Sequence, residues 1–241
     1  MKLFIFILFL VLSIAFYRSR NFRDCNTLNN DSAGLYPKEY KGEVVQVYAA
    51  RTYGAKGTFA VHSWVAYKKS NESLYSIAEV IGWMIYQKKE VIRIKKDHPD
   101  RYWYGNKPFL IEEIRGQKAS MAIKKIEQLI KDYSYKNTYV LWPGPNSNSF
   151  ISYIIRNTSE LKNELPAHAI GKDWLYQGSF FAAPSSGLGF QFSIFGLLGF
   201  IIDFKNGIEI NLLTLTFGID FLKPALKLPL VGRIGIPQRC E

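Results

Sequence analysis

The chain has 241 residues, 48% hydrophobic and 15% aromatic, enough to bury one sizeable core and incompatible with an intrinsically disordered chain. Two cysteines, Cys25 and Cys240, exclude a disulfide scaffold, although they can pair in an oxidising compartment. The net charge of +11 gathers in residues 18–23, 88–96, 118–131 and 223–239; it suits anionic lipid or an anionic envelope polymer, and nucleic acid is disfavoured because zinc spacing, a glycine-rich phosphate loop and an RNA-binding aromatic motif are all missing.

Residues 3–16 are apolar except for Ser13. As a helix this run reaches about 21 Å, short of the ~30 Å hydrocarbon thickness. Three readings stand: a signal peptide with Ser13-Ile14-Ala15 as the cleavage site, an uncleaved membrane anchor, or a buried N-terminal helix. Arg18, Arg20 and Arg23 weigh against export. The membrane readings place the protein in a bacterial cell envelope, membrane-anchored or periplasmic. Residues 21–41 are polar and turn-rich, which divides the chain into 1–17 (signal or anchor), 18–41 (linker) and 42–241 (one α+β domain).

Residues 43–49 and 58–68 read as strands, joined by a glycine-containing loop at 52–57. On the second, Ala60, His62, Trp64 and Ala66 share a face, and small residues on that face leave room beside the His62 ring. A third strand covers 74–86, with Glu79 among apolar neighbours and a bulge at Gly82. A fourth covers 90–96 with Arg93 and Lys95 outward, an aromatic loop follows at 98–108, and a fifth strand covers 109–114. Residues 117–132 form an amphipathic helix, with Ala122, Ile126, Leu129 and Ile130 inward.

The chain must stop and turn at 141–150. Pro143, Gly144 and Pro145 cannot extend a helix or a central strand, and Asn146 is a good N-cap for a helix running to Arg156. A second short helical segment is expected at 158–165, and a loop at 166–172. Residues 185–203 are apolar and glycine-punctuated; Asn206-Gly207 signals a type I′ hairpin, with a bulge near Leu212. The pattern is that of an antiparallel sheet with packed helices plus a C-terminal β-hairpin on the core. The basic, proline-rich residues 223–239 are expected to lie over the surface.

Ser147 falls in the first turn of the second helix, where unpaired N–H groups and the positive dipole end concentrate. That suits a nucleophile that must generate an oxyanion, and it suits a capping serine equally. The histidines are His62, His98 and His168. His62 reads as the general base or as a buried strand histidine. Glu79 is the leading candidate to orient it, with Asp173 the alternative. Asn146 and Asn148 read as substrate or oxyanion contacts, or as turn residues. Lys56 and Lys172, each beside a glycine, read as grips for an anionic substrate. His168 and Asp173 lack a third ligand at useful spacing, so no metal is expected, and no cofactor motif occurs.

Several long strings resemble an uncharacterised bacterial family, domain of unknown function 3750: Tyr53-Gly-Ala-Lys-Gly-Thr-Phe-Ala-Val-His-Ser-Trp-Val-Ala-Tyr67, Glu79-Val-Ile-Gly-Trp83, Trp142-Pro-Gly-Pro-Asn-Ser-Asn-Ser-Phe150, Ala169-Ile-Gly-Lys-Asp173 and Gly207-Ile-Glu-Ile-Asn211. The resemblance runs from about Val44 to Gly235 and carries no activity with it. A more distant resemblance is to the circularly permuted papain-like enzymes: permuted NlpC-type peptidases, the lecithin:retinol acyltransferase group and the deubiquitinating PPPDE group. Their histidine lies on an early strand, in a context similar to His62-Ser63-Trp64-Val65-Ala66-Tyr67, and their nucleophile opens a later helix, in a context similar to Asn146-Ser147-Asn148-Ser149-Phe150. The resemblance implies a permuted papain-like fold with His62 as base and Ser147 as nucleophile of an amide or ester hydrolase or acyltransferase. The chain departs from the pattern at the nucleophile, where those enzymes carry cysteine. A hydroxyl, unlike a thiol, depends on an aligned base at every turnover, so a non-catalytic envelope module that binds peptide or lipid in the same cleft is the competing reading.

Overall fold

The computed structural model describes residues 32–36 and 39–236. The expectations for residues 3–16, Cys25 and Cys240 lie outside them. Among the described residues, no helix is long and apolar enough to cross a membrane.

Two antiparallel sheets dominate an α+β architecture. The first comprises β1 (Val44–Arg51), β2 (Val61–Lys68), β3 (Tyr75–Val80), β4 (Ile92–Asp97) and β5 (Phe109–Arg115), in the order β4-β3-β2-β1-β5. β1, β2 and β3 are buried on both faces, which their β-branched, aromatic and small residues allow. Helices α1 (Gln117–Asp132) and α2 (Ser147–Arg156) pack on one face. Ala122, Ile123 and Ile126 of α1 and Phe150, Ile151 and Ile154 of α2 meet Val47, Val65 and Ala78 there. On the other face Tyr48, Trp64, Ala66 and Ile77 are covered by Leu35, Tyr36, Tyr40 and Trp103. The end of the polar N-terminal stretch is thus docked: the Asp100 carboxylate accepts from Ser32 Oγ at 2.8 Å and from the Leu35 amide at 2.6 Å.

The expected C-terminal hairpin is a seven-stranded meander. β6 (Phe181–Ala182), β7 (Gly189–Ile194), β8 (Leu198–Asp203), β9 (Gly207–Leu212), β10 (Leu215–Asp220), β11 (Ala225–Leu228) and β12 (Gly232–Gly235) pair in sequence order. The phase shift near Leu212 comes from a two-residue turn, with Leu213 and Thr214 at φ of 52° and 67°, rather than from a bulge. The β8–β9 hairpin has a three-residue loop: Asp203 pairs with Gly207, and the Asp203 carboxylate accepts from the Lys205 and Asn206 amides. Residues 225–235 form the last two strands of the sheet, with β12 at its edge, instead of a surface tail.

Three further expectations change in the first sheet and its connections. β3 ends at Val80 and a 3-10 turn, Gly82–Gln87, follows; a Cβ on Gly82 would sit 2.4 Å from the Tyr139 ring, so the glycine serves a close approach and not a bulge. Arg93 is not directed outward: it pairs with Glu79 at 2.7 Å. Residues 158–165 are not helical; the Glu112 carboxylate accepts the Lys162 and Asn163 amides at 2.9–3.0 Å, an arrangement that holds the backbone extended.

Candidate active site

The first turn of α2 is built by its cap. Asn146 Oδ1 accepts the Asn148 and Ser149 amides at 2.9 and 3.1 Å, and Ser149 Oγ accepts the Asn146 amide at 2.7 Å. This reciprocal box fixes the helix start one residue before Ser147. Asn146 Nδ2 donates to Leu141 O and Ile170 O, and Gly171 makes room for it: a Cβ there would lie 2.3 Å from Nδ2, with φ at +94°. Asn146→Ala is expected to lower stability by about 1–2 kcal/mol, read as the denaturation midpoint; an unchanged midpoint would contradict the cap's role.

Asn148 ties this turn to β2. Its Oδ1 accepts from Ser63 Oγ at 2.8 Å and its Nδ2 donates to Val61 O at 2.9 Å, so it grips the two residues that flank His62. The side chains of Asn146 and Asn148, expected to contact substrate, are therefore occupied in holding α2 on β2 and the 168–171 loop. The helix dipole and the first amide of α2, which has no intrahelical acceptor, remain at Ser147.

His62 projects from the face of β2 opposite α2, the face that also carries Glu79 on β3. Its Nε2 lies 2.9 Å from Glu79 Oε2. Glu79 is fully buried and receives further donors: Arg101 Nη2 at 2.6 and 2.7 Å, and Arg93 Nη2 at 2.7 Å. Burial pushes the Glu79 carboxyl up, but the His62 hydrogen bond and the Arg101 and Arg93 charges outweigh it and hold the group well below the usual carboxylate range. An ionised carboxylate only accepts, so Nε2 carries the proton and Nδ1 the lone pair. Burial lowers the His62 pKa from its ordinary value, against the opposing pull of Glu79. Trp103 stacks on the imidazole at 3.9 Å between centroids and 14° between planes, and Arg101 lies 4.9 Å from the Trp64 ring and 5.5 Å from that of Trp103.

A cleft of about 450 Å³ wraps the ends of β2 and β3 and is lined by both Ser147 and His62. Its other walls are largely aromatic: Phe59, Trp83, Trp103, Tyr139 and Trp142 all contribute. Trp142 ties this wall to the β9–β10 turn, its Nε1 donating to Thr214 Oγ1 at 2.8 Å. Lys56 is exposed on the cleft wall, 5.5 Å from the Tyr53 ring centroid. No hydrogen bond joins Ser147 to His62 among the described residues.

Lys172 and Asp173 are elsewhere. Lys172, 1% exposed, pairs with Asp173 at 3.0 Å and Glu209 at 2.6 Å. It is a buried cation that joins its own loop to β9, and it does not line the cleft. Asp173 also accepts from Asn211 and Thr216 and so does not orient His62; Glu79 does. Among the described residues, no group of three side chains is placed to hold a metal ion. Sequence reasoning missed Arg101 and Trp103, which come from an irregular loop without periodicity. The direct opposition of Glu79 and Arg93 across β3 and β4 is accessible from strand register once the strand ends are known.

Taken together, these elements define an α+β protein with a helix-N-terminal serine and an acid-oriented histidine in one aromatic cleft. The chain belongs to a family described as protein of unknown function (DUF3750), which matches residues 42–174, more than half of the chain. The matched span covers the first sheet and both of its helices; the second sheet, with its Gly207-Ile-Glu-Ile-Asn211 string, lies outside it. No curated protein and no solved structure matches the chain.

Proposed function

We propose that the chain is a serine-dependent hydrolase or acyltransferase of amides or esters, with a site arranged as in the permuted papain-like enzymes. The observation that supports the reading is the pairing of His62 Nε2 with buried Glu79 at a cleft whose lining also includes Ser147. Ser147 Oγ attacks the substrate carbonyl while His62 Nδ1 takes its proton, and the first amide and dipole of α2 stabilise the oxyanion. His62 returns the proton to the leaving amine or alcohol. Water or an acceptor alcohol or amine, deprotonated by His62, then releases the acyl group from Ser147. The aromatic walls favour an apolar acyl or aromatic group over a sugar or nucleotide phosphate.

The proposed setting is the bacterial cell envelope, membrane-anchored or periplasmic, supported by the apolar residues 3–16. A peptide, a lipid or an anionic envelope polymer is the proposed partner class there. The serine where related thiol chemistry would use cysteine favours a second reading, a cleft that binds without cutting.

Reaction with a fluorophosphonate separates the two. The wild type is expected to be labelled, Ser147→Ala not at all, and His62→Ala at least about 10⁴-fold more slowly. The rate should fall as pH drops below the ordinary histidine value of about 6.5, the fall starting later because the folded pKa is lowered. Equal labelling of all three proteins rejects the mechanism; no labelling of any favours the binding cleft.

A further inference from the structure

The second sheet is inverted. Along β8, β9 and β10 the residues turned toward the protein are mostly polar or charged, among them Asp203, Glu209, Asn211 and Thr216, all nearly fully buried, with Ile201 the apolar exception. The residues turned outward are apolar: Phe200, Ile202, Ile208, Ile210, Phe217 and Ile219 are 38–59% exposed. β11 continues the pattern, with Leu226 out and Lys227 in. Soluble antiparallel sheets bury the apolar face; alternation with the apolar face outward is the pattern of strands that meet lipid.

The inward polar face is anchored by ion pairs. Lys172 and Lys227 both bind the Glu209 carboxylate, and Arg233 pairs with Asp220 at 2.7 Å. The apolar face therefore cannot be turned inward by slipping the register one residue without stranding these charges.

We infer that the outer face of β6–β12 is a membrane-contact surface that inserts into one leaflet of an anionic phospholipid bilayer. Three observations favour lipid over a protein partner. The apolar surface runs out to the hairpin tips, where a protein interface would turn polar: the tips carry Phe204, Leu213, Phe221 and Leu222, 59–75% exposed. Lys205 and Lys223, both partly exposed, directly follow Phe204 and Leu222 of those tips in the chain, and the chain as a whole carries +11. The sequence also holds a second apolar segment, residues 3–16, and stable attachment generally takes two weak signals. The strands are six residues at most, about 20 Å, against the nine to eleven that a membrane-spanning strand requires; the sheet lies on a leaflet and does not cross. The inference is independent of the role of Ser147.

The test uses full-length protein with Cys25 and Cys240 replaced by serine and an environment-sensitive fluorophore on one new cysteine. Ile210→Cys and Phe217→Cys report on the sheet, and Lys124→Cys on α1 is the control. With phosphatidylcholine–phosphatidylglycerol vesicles, the two sheet labels are expected to shift to shorter wavelength and to be quenched by lipids bearing doxyl groups on their acyl chains; the control label stays aqueous. Separately, Ile210→Glu combined with Phe217→Glu should weaken vesicle binding at least about tenfold while the far-ultraviolet β-spectrum is kept. Sheet labels that remain aqueous on vesicle-bound protein would overturn the inference and leave attachment to residues 3–16. Sheet labels already buried without vesicles, together with a dimer in solution, would overturn it in favour of a second copy of the chain.

Discussion

Glu79→Gln is expected to slow fluorophosphonate labelling of Ser147 about 10⁴-fold, the loss seen when the acid of a Ser-His-Asp triad becomes an amide. A carboxamide at this position keeps the shape of the side chain but not its role. The carboxylate accepts from His62 Nε2 and from two arginines at once, and so selects the tautomer with the lone pair on Nδ1. An amide can present its NH₂ to Nε2 and reverse that choice. The same substitution leaves Arg101, 1% exposed, without a counter-ion on this carboxylate, a change that costs about 3–5 kcal/mol in comparable buried pairs. The pH dependence has a definite sign. The folded pKa of Glu79 lies below the unfolded value of about 4.3, so its stabilisation is present above that value and is lost as pH falls through the folded pKa. Glu79→Gln should therefore lower the denaturation midpoint at neutral pH and flatten its decline in acid. A variant as reactive as the wild type would separate Glu79 from the chemistry.

Lys172→Met is expected to destabilise the protein by about 3–5 kcal/mol, roughly 10 °C in midpoint for a chain of this size. Burial opposes the Lys172 charge, but Asp173 and Glu209 outweigh it and raise its pKa. Glu209, raised by burial and lowered by Lys172 and Lys227, is held at about 2. Removing the shared cation leaves Asp173 and Glu209 buried with Lys227 as the remaining cation on Glu209. Lys56→Met is the matched control: Lys56 is exposed at the cleft, and the change should stay within about 0.5 kcal/mol. Equal effects at the two positions would contradict the assignment of Lys172 as structural.

What is legible in the sequence is what local chemistry determines. The Pro-Gly-Pro stop and the Asn146 cap place the start of α2, and the period-2 pattern of β2 puts His62 and Trp64 on one face, where the structure has them. Glu79 can be paired with His62 because both lie on strands of the same sheet. Lys172 misleads because a lysine beside a glycine looks the same in sequence whether its partners are water or Glu209, which is 37 residues away. Arg101 and Trp103 reach the Glu79–His62 pair through a loop whose path no periodicity encodes. The second sheet reads as one hairpin as long as its alternation is taken to face a core, whereas its polar positions face inward and its apolar ones outward.

The central claim is that Ser147 is the nucleophile, and the position of the adduct tests it most directly. After limited reaction of the native full-length protein with a fluorophosphonate, proteolysis and mass spectrometry should find a single phosphonylated residue, Ser147, absent when the protein is unfolded before reaction. An adduct on another residue, or one that forms equally on the unfolded chain, would contradict it.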